Sequence, residues 1–365
     1  MKILNDRYVF DFAIKEDNEQ ILKILEENDF TGKISILYTR RPDAYSSFMA
    51  EGKEVLFITC KDIKNHNAIV GFGACSINEC FVNGEKQEVG YLFGLRSSKE
   101  YLKKINFLHH SYDYLKEILE NRNIKYFYTT ILEENYAARK LLEKERKYMP
   151  KYEYVCDYIV YSVKTKQKVK QNEYDLINCT DKDINDILIF YHKNGKKLNF
   201  FPLIDVEIIK KIGINNFYFL KDKEKKILCC GAVWDQKNYK QHIIKNYSKI
   251  FKYVQFFSFL FPLFGYPSLP KIDNILNYYT ISYFCVENND PDLFQLFIKE
   301  ISKKYSEYSF FITGLSDQNF LNKSFEKIPK INYKSRIYLV NWEKKENIKE
   351  TLDKNYPIYL ECGML

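Results

Sequence analysis

Two pairs of similar segments, each pair widely separated along the chain, constrain its fold most strongly. YFYTTILEENYAARKLLEK begins at Tyr126 and SFFITGLSDQNFLNKSFEK begins at Ser309, a numbering offset of 309 − 126 = 183. IVGFGA begins at Ile69 and ILCCGA begins at Ile227, a numbering offset of 227 − 69 = 158. Because segments that recur in the same order indicate a duplicated unit, we predict two tandem domains. The alternative is chance similarity in a chain rich in Tyr and Phe.

The repeat also predicts where the domains lie. The two offsets differ by 183 − 158 = 25, so the second domain carries a net insertion of that length, near 237–275. We predict an N-terminal domain at 1–165, a polar linker at 166–173, a C-terminal domain at 174–345 and a tail at 346–365. The tail ends in YPIYLECGML, and these apolar, β-prone residues favour an edge strand.

The predicted insertion contains the longest apolar run of the chain. This run, YVQFFSFLFPLFGY, extends from Tyr253 to Tyr266 and includes Pro262. A membrane-spanning helix needs about 20 apolar residues, and this run is shorter, so we expect a buried or interface segment here rather than membrane contact. The preceding polar stretch, QKNYKQHIIKN at 236–246, is expected to form a helix that faces the domain interface.

Strand-like and helix-like patterns alternate along the chain. Helix-like patterns lie at 17–27, 107–119 and 135–144, and strand-like runs lie at 55–59, 69–77, 88–95, 125–132 and 152–163. This alternation predicts the α/β (α+β) class.

Composition and charge argue against several classes of protein. Apolar residues make up 46% of the chain, which is enough for sizeable cores. The net charge of +8 is modest for 365 residues, and no long Lys/Arg block is present, so we expect no nucleic-acid partner. The nine cysteines form no CxxC pair and no zinc-type cluster. With no signal-peptide pattern at the start, we expect a reducing compartment, the cytoplasm.

The order of elements resembles that of the GNAT acyltransferase superfamily over roughly 8–163 and again over 174–342. In that family the fourth strand ends in a pattern like L-x-V-x-P-x-Y-R-G-x-G-I-G. Here Leu95, Ser97, Lys99 and Tyr101 occupy the L, V, P and Y positions, and LKKINF at 102–107 occupies R-G-x-G-I-G. WDQ at 234–236 is similar to a motif of bacterial two-domain members. The resemblance implies two tandem domains, each with a mixed, mostly antiparallel sheet flanked by helices.

The resemblance also implies a coenzyme A site in the first domain, where loop amides and a helix N-terminus hold the diphosphate. The implied cofactor-binding residues are Leu95, Ser97, Leu102, Lys103, Lys104, Ile105, Asn106 and Phe107 of the loop, and Asn135 on the next helix. The family glycines are missing, and Lys103 and Lys104 would compensate with charge. The alternatives are a solvated basic turn and, for Asn135, a helix cap. The matching loop of the second domain, ENNDPD at 287–292, is acidic, so we expect no coenzyme A there.

Acyl transfer to an amine needs a base for the amine and an acid for the leaving thiolate. Glu88, on the strand that enters the loop, is the candidate base, with a solvated strand-end residue as the alternative. The position that holds a tyrosine acid in the family is occupied by Leu142 in this chain. Tyr136 and Tyr91 are therefore the candidate acids. Arg40 and Arg41 are candidates for binding an acidic acceptor, with a surface turn as the alternative.

No metal site is expected. The adjacent His109 and His110 follow the loop, and neighbouring helix positions point about 100° apart, which argues against shared ligation of one metal.

The resemblance therefore implies an acetyl-CoA-dependent N-acetyltransferase that acts on a small-molecule or peptide amine. The alternatives are a non-catalytic ligand- or partner-binding protein and a transferase for longer acyl or aminoacyl groups. We expect no membrane partner, and the sequence leaves the oligomeric state open.

Overall fold

The computed structural model describes residues 1–27, 33–102, 107–169, 171–344 and 346–365. In the first half these residues form β1 (Lys2–Leu4), β2 (Tyr8–Phe12), α1 (Asn18–Glu26), β3 (Ile34–Thr39), α2 (Ala44–Met49), β4 (Glu54–Asp62), β5 (Ala68–Val82), β6 (Glu85–Ser97), α3 (Phe107–Leu119), β7 (Tyr126–Leu132), α4 (Tyr136–Leu142) and β8 (Lys151–Lys164).

The second half repeats this alternation. It contains β9 (Asp175–Asn178), α5 (Ile184–Gly195), β10 (Phe201–Pro202), α6 (Val206–Ile212), β11 (Phe217–Lys221), β12 (Ile227–Trp234), β13 (Gln241–Tyr247), α7 (Lys249–Phe256), β14 (Tyr278–Val286), α8 (Pro291–Lys304), β15 (Phe310–Ser316) and β16 (Ile331–Asn341). Short 3-10 turns lie at Lys15–Asp17, Lys99–Tyr101, Asp181–Asp183, Ile214–Asn216, Ser258–Phe264, Glu287–Asn289, Phe320–Phe325, Ile348–Thr351 and Cys362–Met364.

Local sequence explains why the principal helices form where they do. Ile21, Ile24 and Leu25 of α1 are buried at helical spacing, as the apolar pattern predicted. The α8 helix starts at Pro291, and the Asp290 side chain accepts hydrogen bonds from the first-turn amides of Asp292 and Leu293. Proline at the first helical position after an Asp cap is a common helix start.

A single large sheet runs through both halves. Its order is β1-β2-β4-β5-β6-β7-β16-β8-β15-β14-β12-β11-β9, with β10 paired to β5. All pairs are antiparallel except β6 with β7 and β14 with β15, so the predicted mixed, mostly antiparallel architecture is confirmed. The last strand of each half pairs with a strand of the other half. β8, the last strand of the first half, pairs with β15, and β16, the last strand of the second half, pairs with β7. The predicted linker at 166–173 therefore joins halves that share their central strands.

The duplication is visible in matching irregularities of the two halves. Gly94 and Leu95 of β6 lie opposite the single residue Gly73 of β5, a β-bulge. In the second half the bulge of β14 at Tyr283 lies opposite Gly231 of β12. The numbers of Gly73 and Gly231 differ by 231 − 73 = 158, the offset found in the sequence. The net insertion lies between β12 and β14, where the first half has only the turn between β5 and β6.

Three predictions about the second half need correction. The 236–246 stretch does face the first half, but as a turn and then β13, which pairs with β3, rather than as a helix. The 356–365 segment is docked, but as a buried extended segment and not as an edge strand. The first of the two alternatives for the 253–266 run is wrong, because Tyr253, Phe256 and Phe264 are largely exposed, and its role as an interface segment stays a prediction.

Among the residues that the structure describes, the core forms four apolar clusters that cover the sheet. One contains Ile21, Phe48 and Phe57 beside α1 and α2, and a second contains Phe10, Leu92 and Leu115 beside α3. The third fills the second half and includes Phe217, Phe284 and Phe294. The fourth combines residues of both halves, including Val160, Ile337 and Ile358. Since this last cluster is shared, the two halves are packed as one unit.

Candidate functional site

In the first half, β6 and β7 separate to form a wedge. Their parallel pairing covers only three residue pairs and ends at Tyr91 with Tyr128, although β6 continues to Ser97 and β7 to Leu132. At the apex the Thr129 hydroxyl donates to the Leu92 carbonyl, at 2.7 Å. Beyond the apex the residues of β6 from Phe93 onward are only partly buried. The first wedge is therefore accessible from outside.

The bulge of β6 lies at the start of this wedge. Gly94 has φ +67°, and a Cβ there would lie 2.4 Å from the Phe48 ring, so the position requires glycine. A bulge takes one residue out of the strand ladder. Backbone amides released in this way can donate to a ligand that enters the wedge.

In the second half, β14 and β15 form the equivalent wedge, but it is filled. The Thr313 hydroxyl donates to the Ile281 carbonyl at 3.1 Å, which makes Thr313 the counterpart of Thr129 at an offset of 313 − 129 = 184. The repeated segments of the sequence align Thr313 with Thr130 instead, and a one-residue slip in a strand exchanges its two faces. Unlike β6 and β7, β14 and β15 stay almost fully buried beyond the apex.

The 356–365 segment fills the second wedge and bonds to both of its strands. The Ser316 hydroxyl donates to the Ile358 carbonyl at 2.8 Å, and the Tyr283 amide donates to Glu361 Oε2 at 2.6 Å. The Tyr158 hydroxyl donates to the Leu360 carbonyl at 2.9 Å. The sequence did not reveal this occupation of the second wedge, and the expectation that the second half does not bind coenzyme A stays a prediction.

A cavity of about 190 Å³ lies where the first wedge meets the second half. Tyr91 and Tyr128, which form the wedge apex, line it with their rings 4.9 Å apart. Its other walls include the aromatic residues Phe200 and Tyr283, the lysines Lys53 and Lys211, and the acidic residues Glu51, Glu79, Asp205, Glu207 and Glu361. The cavity is thus rich in carboxylates and borders the first wedge at its apex pair, Tyr91 and Tyr128.

Glu361 is a buried carboxylate in this cavity. Its oxygens accept hydrogen bonds from the amides of Tyr283 and Gly363 and from the Tyr359 hydroxyl, at 2.6, 2.9 and 2.7 Å. Burial raises the pKa of Glu361 above its ordinary value, and these hydrogen bonds oppose that rise. A carboxylate with a raised pKa inside a cavity is a recognised kind of candidate base.

Two tyrosines that line the cavity are held protonated. Burial raises the pKa of Tyr91 well above its ordinary value, and the pKa of Tyr128 rises for the same reason, with Tyr91, Tyr283 and Glu361 adding to the effect. Protonated phenols beside a carboxylate can donate hydrogen bonds or a proton. The predicted acid Tyr91 therefore lies in the cavity.

A buried ion cluster supports the cavity floor. Glu51 Oε1 lies 2.7 Å from a guanidinium nitrogen of Arg40 and 2.8 Å from Lys240 Nζ. Lys240 Nζ also donates to the Gly363 carbonyl at 2.9 Å, which fixes the 356–365 segment. Arg40 is buried in this cluster and is not a surface turn residue.

Arg41, the second predicted acceptor-binding arginine, lies outside this cluster. It is half-exposed and bonds Glu26 through two guanidinium nitrogens, at 2.7 and 2.9 Å. Both predicted acceptor-binding arginines thus have carboxylate partners already.

Two other predicted site residues lie away from the cavity. Glu88 is exposed on β6, and because strand residues alternate in direction, its side chain is on the face opposite Tyr91. Tyr136 is 71% exposed at the start of α4. Asn135 caps α4, since its side chain accepts from the Ala138 amide at 3.1 Å. These placements do not support the predicted base role of Glu88 or the acid role of Tyr136.

The predicted cofactor loop is partly described. Leu95 and Ser97 lie in the wedge portion of β6, and Leu102 is exposed at the end of the turn that follows. Phe107 is a core residue, stacked on Phe10 with ring centroids 6.2 Å apart. The predicted residues Lys103, Lys104, Ile105 and Asn106 lie outside the described residues.

The two neighbouring histidines lie closer together than helix geometry alone predicted. The His109 and His110 rings have centroids 4.7 Å apart, and ligand atoms of His109, His110 and Asp113 lie within 4.8 Å of one another. The angle between neighbouring helix positions therefore does not exclude that His109 and His110 bind one metal ion together. His109 Nε2 lies 3.3 Å from Asp113 one helical turn away, an ordinary i,i+4 pairing.

Sequence reasoning missed Glu51, Tyr128, Lys240 and Glu361. The available signal for Glu361 was a single acidic residue inside the apolar run YPIYLECGML. A lone carboxylate in such a run is costly to bury unless it has a role or partners. Glu51 and Lys240 lie in different halves of the chain, and no local pattern joins them.

A second hollow of about 340 Å³ lies nearby, lined by Trp234, Asp235, Tyr305 and Tyr308. It shares Lys211 with the carboxylate-rich cavity but includes no residue of the first wedge. For this reason the smaller cavity is the better candidate site.

Comparison with known proteins gave matches in structure only. No family model and no curated protein sequence matches the chain. N-myristoyltransferase from Saccharomyces cerevisiae, solved with bound myristoyl-CoA, superposes with a TM-score of 0.61 at 11% identity, over 99% of this chain and 90% of that one.

Two bacterial proteins give similar matches. A GCN5-related N-acetyltransferase from Sphaerobacter thermophilus has a TM-score of 0.59 at 7% identity, over 92% and 96% of the two chains. One from Anabaena variabilis has a TM-score of 0.55 at 12% identity, over 91% and 72%. In the part of the chain that the structure describes, no helix is both long and apolar enough to cross a membrane. The chain therefore has the GNAT fold that its sequence predicted, the fold it shares with these N-acetyltransferases and N-myristoyltransferase.

Proposed function

We propose that the protein is an acyltransferase that moves an acyl group from a coenzyme A thioester to an amine. The observation that carries this proposal is the contrast between the two wedges. The first is accessible, and its apex residues Tyr91 and Tyr128 line a cavity with a buried carboxylate, whereas the second is filled by the protein's own 356–365 segment.

The donor would enter the first wedge with its thioester near the β6 bulge. The acyl-carrying arm would lie between β6 and β7, and the diphosphate near the turn that begins at Ser98. Lys103 and Lys104 remain the proposed charge partners of the diphosphate. Acetyl-CoA is the simplest such donor.

The proposed chemistry uses Glu361 as base and Tyr91 as acid. The amine nitrogen attacks the thioester carbonyl carbon while Glu361 accepts the N–H proton. Amides of the β6 bulge stabilise the oxyanion of the tetrahedral intermediate. The C–S bond then breaks, the amide product forms, and the Tyr91 hydroxyl protonates the coenzyme A thiolate.

The acceptor is proposed to arrive as a cationic amine, which releases one proton to solvent before the neutral amine attacks and gives its second proton to Glu361. Of the five carboxylates that line the cavity, Glu51 and Glu79 already have cationic partners, and the remaining ones, Asp205, Glu207 and Glu361, attract a protonated small-molecule or peptide amine. This reverses the expectation of an acidic acceptor at Arg40 and Arg41, because both arginines are engaged by carboxylates.

A longer acyl donor is the second candidate. The likeness to N-myristoyltransferase extends over 99% of this chain and includes both halves. That protein was solved with myristoyl-CoA, so a long-chain coenzyme A thioester belongs in every donor screen.

Thermal unfolding with acetyl-CoA, myristoyl-CoA and free coenzyme A tests donor binding, because a ligand that binds only the native state raises Tm. We expect a saturable rise that is reduced in Lys103→Glu/Lys104→Glu. Release of free thiol in the presence of a panel of amines then tests transfer. A Tm shift without thiol release from any amine would instead support a non-catalytic binding protein, and no shift with any thioester would contradict donor binding.

A further inference from the structure

The insertion between β12 and β14 presents an unusually apolar surface. Seven large side chains there are each between 54% and 79% exposed, namely Ile250, Tyr253, Phe256, Phe257, Phe259, Leu263 and Phe264. They lie in consecutive turns, α7 and the 3-10 turn Ser258–Phe264. Contiguous exposed apolar surface of this kind marks an interaction site rather than ordinary surface variation. We refer to residues 249–266 as the apolar platform.

The platform is held in shape by an internal side-chain hydrogen bond and by bonds in and from its surroundings. The Tyr247 hydroxyl donates to the Pro270 carbonyl at 2.6 Å, and the Ser258 hydroxyl donates to the Gln255 carbonyl at 2.6 Å. Lys164 Nζ, from β8 of the sheet, donates to the Pro262 carbonyl at 2.9 Å. The aromatic side chains are therefore presented outward by a segment that needs no partner to order it.

The apolar face of the platform helix α7 is exposed rather than buried. Ile250, Tyr253 and Phe257 recur at i, i+3 and i+7, so they share one helix face, and all three are exposed. Lys249 and Lys252 flank that face and are also exposed. Aromatic residues bordered by lysines characterise helices that lie in the plane of a membrane surface.

Exposed lysines border the platform. Between Asp235 and Asp273 the chain contains six lysines and no acidic residue. Lys240 is buried against Glu51, and Lys237 and Lys245 pair with Asp235 and Asp273, whereas Lys249, Lys252 and Lys271 are exposed. Lys33 of the first half lies beside the platform, with Nζ 5.9 Å from the Phe251 ring. Each exposed lysine near a membrane adds attraction to anionic headgroups, provided they lie within the screening length.

We infer that the apolar platform docks on the surface of an anionic lipid bilayer, with its aromatic side chains in the headgroup layer and its lysines against acidic headgroups. Protein interfaces are depleted in lysine, whereas aromatic and basic residues together suit the bilayer surface. This inference contradicts the expectation of no membrane partner that was drawn from the sequence. It does not depend on the proposed acyl transfer.

Co-sedimentation of the full chain with vesicles tests this inference. The vesicles are made of phosphatidylcholine alone or of phosphatidylcholine with phosphatidylglycerol. We expect sedimentation with the anionic vesicles, weakened by added salt, and little with the neutral ones. Lys249→Glu/Lys252→Glu should lower the partition coefficient roughly tenfold or more, and Phe256→Ser/Phe257→Ser/Phe264→Ser should abolish binding.

Matched variants separate the platform from general surface effects. Lys144→Glu/Lys182→Glu changes the net charge equally at exposed positions elsewhere, and Ile189→Ser removes an exposed apolar side chain from α5. Both should bind like the wild type. A Phe257→Trp reporter should show a blue-shifted emission on anionic vesicles. Equal binding by all variants, no binding by the wild type, or a platform-dependent dimer that ignores vesicles would each overturn the inference.

Discussion

At the scale of single residues, Glu361 is the side chain on which the proposed chemistry depends. Glu361→Gln should lower kcat about 10²- to 10⁴-fold, the usual contribution of a general base. The rate of the wild type should rise with pH through the raised pKa of Glu361, because only the ionised form accepts a proton. The variant should lack this rise. An unchanged kcat, measured by thiol release, would exclude Glu361 as the base.

Tyr359→Phe gives a finer test at the same carboxylate. The Tyr359 hydroxyl donates to Glu361 Oε2 at 2.7 Å, and this bond lowers the carboxyl pKa by favouring its charged form. Removing it should raise the pKa of Glu361 further, so the acid limb of the pH–rate profile should move to higher pH. The plateau rate should be nearly retained. Loss of the plateau without a shift would indicate a purely structural role.

Loss of the Glu51 carboxylate should destabilise the protein strongly, because two buried cations share it. Glu51→Ala leaves Arg40 and Lys240 buried beside each other without their shared carboxylate. We expect the free energy of unfolding to fall by about 3–5 kcal/mol in urea titrations. The exposed pair Lys53 and Glu79 is the matched comparison, and Glu79→Ala should cost less than about 1 kcal/mol. Similar costs for both variants would contradict this view of the cluster.

At the scale of elements, the two wedges offer a pair of equivalent substitutions. Thr129→Val removes the bond to Leu92 at the accessible apex, and Thr313→Val removes the bond to Ile281 at the filled one. Thr313→Val should lower the free energy of unfolding by about 1–3 kcal/mol, because a buried carbonyl loses its donor. It should leave the Tm shift with acyl-CoA unchanged, whereas Thr129→Val should reduce that shift. The reverse pattern would place the donor in the second wedge.

At the scale of the whole molecule, the exchange of β8 and β16 predicts that the halves do not fold separately. A fragment of residues 1–173 would lack β16 and β15, leaving β7 and β8 with unpaired edges. Unpaired edges favour aggregation. We expect this fragment to show no cooperative thermal unfolding, while the full chain unfolds in one transition. Cooperative unfolding of the fragment would support independent domains at the predicted boundary instead.

Much of this architecture was predictable from sequence, because it depends on local periodicity and on repeated segments. The helix at 107–119 and the offset of 158 between the halves were predicted as found. The exchange of strands was not, since β8 and β16 follow the same alternating pattern whichever neighbour they pair with. The candidate site was missed for a related reason. Tyr128 and Glu361 meet only because the 356–365 segment enters the second wedge, and no spacing rule describes that path.

The most direct test of the central claim is hydrogen–deuterium exchange with and without saturating acyl-CoA. We predict new protection in residues 92–102 and 129–132, which border the first wedge. We predict no change in residues 281–286 and 313–316, where the 356–365 segment already occupies the second wedge. Protection confined to the second wedge, or none in either, would contradict the assignment of the donor site to the first half.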